Sequence, residues 1–163
     1  HSMGAMISYE VVRQLQQHND PLPRHLFLSS RAAPQIVHNT TPLRFLPDQE
    51  FIDELQRLYD AVPEAIQQSK ELQKLFLPIL RADVALLETH NWAPGAALKC
   101  PVTVFGGEQD LIISREALAA WREQTDAEFT QQMFAGGHFY LNDHVVALVE
   151  TITRRLLPQD LMN

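Results

Sequence analysis

The chain opens on a segment whose apolar positions recur at helical spacing. Within residues 3–17, Met6, Val11, Val12 and Leu15 share one stripe, which predicts an amphipathic helix. Asn19-Asp20-Pro21 and Pro23 end it. Residues 25–30, HLFLSS, are a short apolar run of strand length. Residues 31–47, rich in Pro, Thr and Asn, read as loop. From Asp48 to about Glu88 the pattern is helical throughout. Phe51, Ile52, Leu55, Leu58 and Tyr59 form a stripe, with Asp48 as the expected N-cap. Pro63 begins a second helix containing Ala65 and Ile66. Leu72, Leu75, Phe76, Ile79 and Leu80 predict a third, kinked or broken near Pro78. Ala82, Val84, Ala85 and Leu87 belong to the last. Residues 102–105, VTVF, are a β-branched strand stopped by Gly106-Gly107. Residues 114–124 predict a helix capped by Ser114. Residues 128–134 are a strand ending at Gly136-Gly137. Residues 143–156 are a closing helix capped by Asp143, with Val146, Val149, Ile152 and Leu156 on one face.

Strands therefore alternate with helices, the pattern of a parallel α/β sheet. The helical stretch interrupts it. The expected division is a sheet core from 1–45 and 91–163, with an inserted helical block at 46–90. The 163 residues are 45% hydrophobic and 20% charged, as in soluble globular proteins. No apolar run approaches the ~18 residues of a membrane span. A net charge of −7 disfavours nucleic acid as a partner. Cys100 is the one cysteine, so no disulfide can form within the chain. The cytoplasm is the expected compartment.

Sites in α/β sheets lie at the carboxyl ends of the strands. Three reactive side chains fall where such ends are expected. Ser2 directly precedes a helix, Asp110 follows VTVFGG, and His138 follows QQMFAGG. Their order, Ser–Asp–His, is that of the α/β-hydrolases. His1-Ser2-Met3-Gly4 matches four positions of the five-residue G-x-S-x-G nucleophile elbow. Such a serine sits on a strained strand-to-helix turn, where small neighbours such as Gly4 are needed. The helix behind it aims backbone N–H groups at a developing oxyanion, and Met3 N–H is the expected donor. His138 would take the Ser2 proton and return it to the leaving group. Asp110 would hold the imidazole in the useful tautomer.

Blander readings exist for each residue. Ser2 could be a helix cap or a cloning remnant, Asp110 a turn residue, and His138 a loop histidine. Asp126 and Asp143 are weaker candidates for the acid. His144 is wrongly spaced from His138 for a metal pair, and no Cys or carboxylate cluster accompanies it, so no metal is expected. His18, His25, His38 and His90 read as surface or loop residues, Cys100 as a small buried hydrophobe, and Trp92 and Trp121 as packing residues.

The elbow His1-Ser2-Met3-Gly4-Ala5 with Tyr9-Glu10 resembles that of type II, stand-alone thioesterases of the α/β-hydrolase superfamily. HLFLSSRAAPQ (25–35), LPDQEF (46–51), LRADVALLETH (80–90), CPVTVFGGEQDLIISREALAAWREQT (100–125) and FAGGHFYL (134–141) are similar to the same family. The resemblance implies an α/β-hydrolase fold whose inserted helical block is a lid. It implies hydrolysis of acyl or aminoacyl thioesters from the phosphopantetheine arms of carrier proteins, clearing stalled or mis-primed nonribosomal peptide and polyketide synthetases. It implies no cofactor of the protein's own, since the substrate brings the phosphopantetheine. Phe51, Leu55, Phe76 and Leu80 of the lid would line the acyl channel. Arg31, Arg44, Lys70, Lys74 and Arg81 would supply a basic patch for an acidic carrier protein. The family's early strands and second oxyanion donor are missing from this chain, which makes the preceding part of the same protein an expected partner. The alternatives are another serine hydrolase, such as a carboxylesterase or lipase, and a non-catalytic module that docks carrier proteins.

Overall fold

A computed structural model describes residues 1–36, 41–60 and 62–157. His38 lies outside the described residues. The chain divides into two compact units. One takes in the described residues of 1–36 and 94–163, the other those of 37–93.

The first unit is built on a parallel sheet. Leu26–Ser29 (β1), Val102–Gly107 (β2) and Phe129–Phe134 (β3) lie in the order β1-β2-β3. Leu26 pairs with Val102, and Val102 in turn with Phe129. Every residue of the central strand β2 is buried, as expected for a strand covered on both faces. The pleat sends Phe27, Phe105 and Phe134 to one face. There they meet Tyr140 and the closing helix α6 (Val145–Leu156), which contributes Ala147, Leu148 and Ile152. Helix α1 (Met3–Gln17) lies along β1, and α5 (Arg115–Ala119) along β2.

The second unit is helical: α2 (Asp48–Tyr59), α3 (Glu64–Gln68) and α4 (Lys70–Thr89). Phe51, Ile52, Leu55, Val62, Leu77 and Val84 form its core. Leu43 packs against that core from a 3₁₀ turn, Leu43–Phe45, so this stretch belongs to the helical unit. The division thus falls earlier than residue 46.

Several local expectations are corrected. Asp48 is the first residue of α2 rather than its cap, which is Pro47. Asp48 instead pairs with Arg81. Pro78 sits inside one continuous helix, α4, in place of two. Proline removes one N–H bond, to the carbonyl four residues back. Here Lys74 and Pro78 are both exposed, so water can reach that carbonyl. Residues 114–124 begin as α-helix, capped by Ser114 through Ala117 N–H, but tighten to 3₁₀ from Ala120. Asp143 does not cap α6; His144 holds that position.

The facing of α6 differs, and so do the places of side chains on α2 and α4 expected at a channel. In α6, Val146 is 72% exposed and Val149 56%, and the inner stripe runs through Leu148 and Ile152. The helix is apolar on two sides, so periodicity alone does not choose between them. Phe51 and Leu55 are buried within the helical unit's own core, and Leu80 packs against it, so they serve packing there. Phe76 is half-buried. The exposed apolar side chains of α4 are Leu75, Ile79 and Leu86. Of the basic residues proposed as a patch, Arg44 binds Glu88, and Arg81 binds Asp48 and the Arg44 and Leu46 carbonyls. Both therefore hold the helical unit together.

Candidate active site

Ser2 stands immediately before α1 with φ 48° and ψ −119°. This is a left-handed conformation that a side chain other than glycine adopts at a cost of ~1–3 kcal/mol. Its N–H donates to the Ser29 carbonyl at the end of β1 (2.7 Å), which ties the turn to the sheet. The hydroxyl makes no capping bond to α1. It points instead to His138 Nε2, at 3.1 Å.

His138 and Asp110 are brought together by two loops stitched to each other. Glu108 N–H donates to the Phe134 carbonyl (2.8 Å) and Gln109 N–H to the Gly136 carbonyl (2.9 Å). The Gln109 side-chain oxygen accepts from Gly136 N–H. The approach is close enough that a Cβ on Gly107 would collide with the Gly136 and Gly137 carbonyls. Gly136 itself has φ 111°, which favours glycine. The QQMFAGG pattern therefore serves both the strand end and the tight return.

Asp110 divides its carboxylate between two tasks. Oδ1 accepts from the N–H groups of Ile112 (3.0 Å) and Ile113 (3.2 Å). Oδ2 accepts from His138 Nδ1 at 2.8 Å. Both side chains are almost fully buried. Burial pushes the Asp110 carboxyl up, but the hydrogen bonds from His138, Ile112 and Ile113 and the attraction of His138 outweigh it. The net effect holds the carboxyl below its ordinary value. Because a carboxylate can only accept, Nδ1 carries the imidazole proton. Nε2 then presents its lone pair to the Ser2 hydroxyl.

At the start of α1, Met3 and Gly4 N–H make no hydrogen bond among the described residues. Met3 N–H adjoins Ser2, where a helix N-terminus favours negative charge.

The sequence singled out these three side chains but not their supports. Ser30 is buried with φ 46°, and its hydroxyl donates to the His138 carbonyl (3.2 Å). The Ser29 hydroxyl bonds both His1 Nδ1 (2.9 Å) and the Tyr140 hydroxyl (2.7 Å). Burial pushes the Tyr140 hydroxyl up to about 12; the Ser29 bond opposes this and the Asp110 charge adds to it. No spacing rule links positions 1, 29, 30 and 140.

The remaining candidates lie elsewhere. Asp126 pairs with Lys99, and Asp143 is exposed. His144 donates through Nε2–H to the Ala135 carbonyl (3.0 Å). His25 Nε2 bonds the Thr103 hydroxyl (2.8 Å). His18 and His90 end α1 and α4. Cys100 is buried, and burial raises its thiol above the ordinary value. Trp121 packs edge-on to Tyr9 and donates to the Arg31 carbonyl, while Trp92 is half-buried. Among the described residues no group of three or more His, Cys, Asp or Glu side chains is placed to hold a metal. None of the described helices is long and apolar enough to cross a membrane.

A family model described as a thioesterase domain matches residues 1–156. The gramicidin S biosynthesis protein GrsT of Aneurinibacillus migulanus is 39% identical over 96% of this chain and 60% of its own length. Thioesterase PikA5 of Streptomyces venezuelae is 36% identical over 96% of this chain and 55% of its own. Among solved structures, the type II thioesterase BorB from the borrelidin biosynthetic cluster superposes with a TM-score of 0.85 at 35% identity, covering 96% of this chain and 63% of that one. The chain thus spans about three fifths of the length of these three relatives.

Proposed function

The chain belongs to the thioesterase-domain family, and on that footing we propose that it hydrolyses acyl or aminoacyl thioesters held on the phosphopantetheine arms of carrier proteins. It would serve a nonribosomal peptide or polyketide synthetase in the cytoplasm, releasing stalled or mis-primed groups. The observation that carries this reading is the unbroken hydrogen-bonded chain from Asp110 through His138 to Ser2.

The chemistry follows from that chain. Ser2 Oγ attacks the thioester carbonyl carbon while His138 Nε2 takes its proton. The carbonyl oxygen becomes an oxyanion, and Met3 N–H donates to it. As the carbonyl re-forms, the C–S bond breaks and His138 protonates the departing thiolate of the arm. Water then attacks the acyl-serine with His138 again as base, and Ser2 leaves with the proton. Asp110 stays ionised, holding the imidazole and stabilising its charged form. The phosphopantetheine arrives with the substrate, and the protein supplies no cofactor. The helical unit is read as the family's lid. The second oxyanion donor and the rest of the sheet are assigned to a preceding part of the same protein.

The full-length protein should cleave acyl-carrier thioesters in preference to p-nitrophenyl esters. Ser2→Ala should lower the rate by about 10⁴–10⁶ while leaving carrier binding intact. A preference for the simple ester, unaffected by the carrier protein, rejects the carrier assignment in favour of a general esterase. Hydrolysis that survives Ser2→Ala removes Ser2 as the nucleophile.

A further inference from the structure

The nucleophile turn and the histidine loop are far apart in sequence, yet a misplacement of about 1 Å at such a site can cost about 10²-fold in rate. Apart from the bond between Ser2 and His138 themselves, the two are linked through the end of β1. The Ser29 carbonyl holds Ser2 N–H, and the Ser30 hydroxyl holds the His138 carbonyl. Between these backbone ties runs a side-chain relay, His1 Nδ1 to Ser29 Oγ to Tyr140 Oη.

The relay ends against the imidazole. The His1 ring lies 5.0 Å from the His138 ring, centroid to centroid, and 5.1 Å from Phe139. His1 Nε2 is shielded from solvent and has no hydrogen-bond partner among the described residues. Nδ1 to Ser29 is therefore the polar anchor that fixes how the His1 ring faces His138. Tyr140 is buried and stacks on Phe134 at 5.3 Å, so its hydroxyl has a fixed origin. Both hydroxyl protons are satisfied when Tyr140 donates to Ser29 and Ser29 donates to His1 Nδ1.

We infer that His1, Ser29 and Tyr140 are positioning residues for His138. They act through the ring contact and the turn at 138–140, and do not touch the reacting atoms. This rests on the reading of Ser2 and His138 as nucleophile and base. The relay holds the imidazole against the elbow, so its loss should slow chemistry without weakening substrate binding.

The test uses the full-length protein and an acyl-carrier thioester. Tyr140→Phe removes one oxygen and keeps the ring stacking. It should lower kcat about tenfold with KM unchanged within about twofold. Ser29→Ala should do the same. The double variant should be no slower than either single one, because both break one relay. Ser29→Thr keeps a hydroxyl and should restore most of the rate. An unchanged kcat in Tyr140→Phe and Ser29→Ala, or losses that multiply in the double variant, overturns the relay. So does a Ser29→Thr rate as low as that of Ser29→Ala. If Tyr140→Phe does not fold, the Ser29→Ala and Ser29→Thr pair decides the matter at a half-buried position. Ser2→Ala, measured beside them, separates the two readings. Activity surviving in Ser2→Ala refutes the catalytic assignment, whereas an inactive Ser2→Ala with fully active relay variants refutes the positioning role alone.

Discussion

At the scale of single residues, Asp110 carries two obligations that can be separated by pH and by substitution. Its carboxylate accepts three hydrogen bonds and sits below the ordinary value of 3.8. A depressed folded-state value contributes stability above the unfolded value, and that contribution is lost as pH falls through the folded one. Wild-type stability should therefore drop as pH goes below about 3.8, with part of that drop absent in Asp110→Asn. Acid titrations of both proteins, followed by circular dichroism, measure the difference. Equal acid slopes would show that Asp110 has no depressed value in the folded state. In the neutral range Asp110→Asn should cost about 10⁴ in kcat, because an amide can present its N–H to His138 and favour the wrong tautomer. The three residues of this chain were singled out in the sequence by their order, by the places of Asp110 and His138 after strands, and by the elbow pattern of Ser2 before a helix. Their supports were not. Ser29, Ser30 and Tyr140 act through contacts between segments more than a hundred residues apart in sequence, and no local pattern encodes such a meeting.

Among the elements, the loops after β2 and β3 decide whether Asp110 meets His138. Gly107 is the tightest point, because a Cβ there would run into the Gly136 and Gly137 carbonyls. These are backbone atoms and cannot swing aside. Gly107→Ala should destabilise the full-length protein by about 1–3 kcal/mol, as overpacking does. It should also lower activity by parting the two loops. Gly4→Ala is the comparison: the elbow pattern calls for a small residue there, yet its Cβ would meet nothing within 4 Å among the described residues. Urea unfolding and thioester turnover of both variants test the contrast; equal stabilities would show that the loops can separate freely. The sequence located every strand among the described residues and the ends of α1, because strand patterns and breakers are local. It misplaced two caps and split α4 at Pro78. Whether a proline breaks a helix depends on where the freed carbonyl lies, and here it lies at an exposed turn. It also misjudged the inner face of α6, where valines on the outside imitate a core stripe.

For the whole molecule, those outward valines become a question of what covers them. Val145, Val146 and Val149 are more than half exposed on α6, and Ile7 and Val11 are exposed on α1. The edge of β1 away from β2 has no strand partner among the described residues. An open strand edge and exposed apolar side chains each invite association. The relatives are longer than this chain, which matches about three fifths of them. On the proposed function, a further part of the protein would complete the sheet and cover these faces. Val149→Glu then distinguishes a covered face from a free one. In the full-length protein it should cost about 2 kcal/mol or more, since an unpaired carboxylate would be forced out of water. On a surface that stays open, the same change should fall within about 0.5 kcal/mol. Val146→Glu provides an independent reading at a more exposed position of the same helix. Urea midpoints of the full-length variants settle the case, and two changes near zero would leave α6 facing solvent and the sheet completed in some other way.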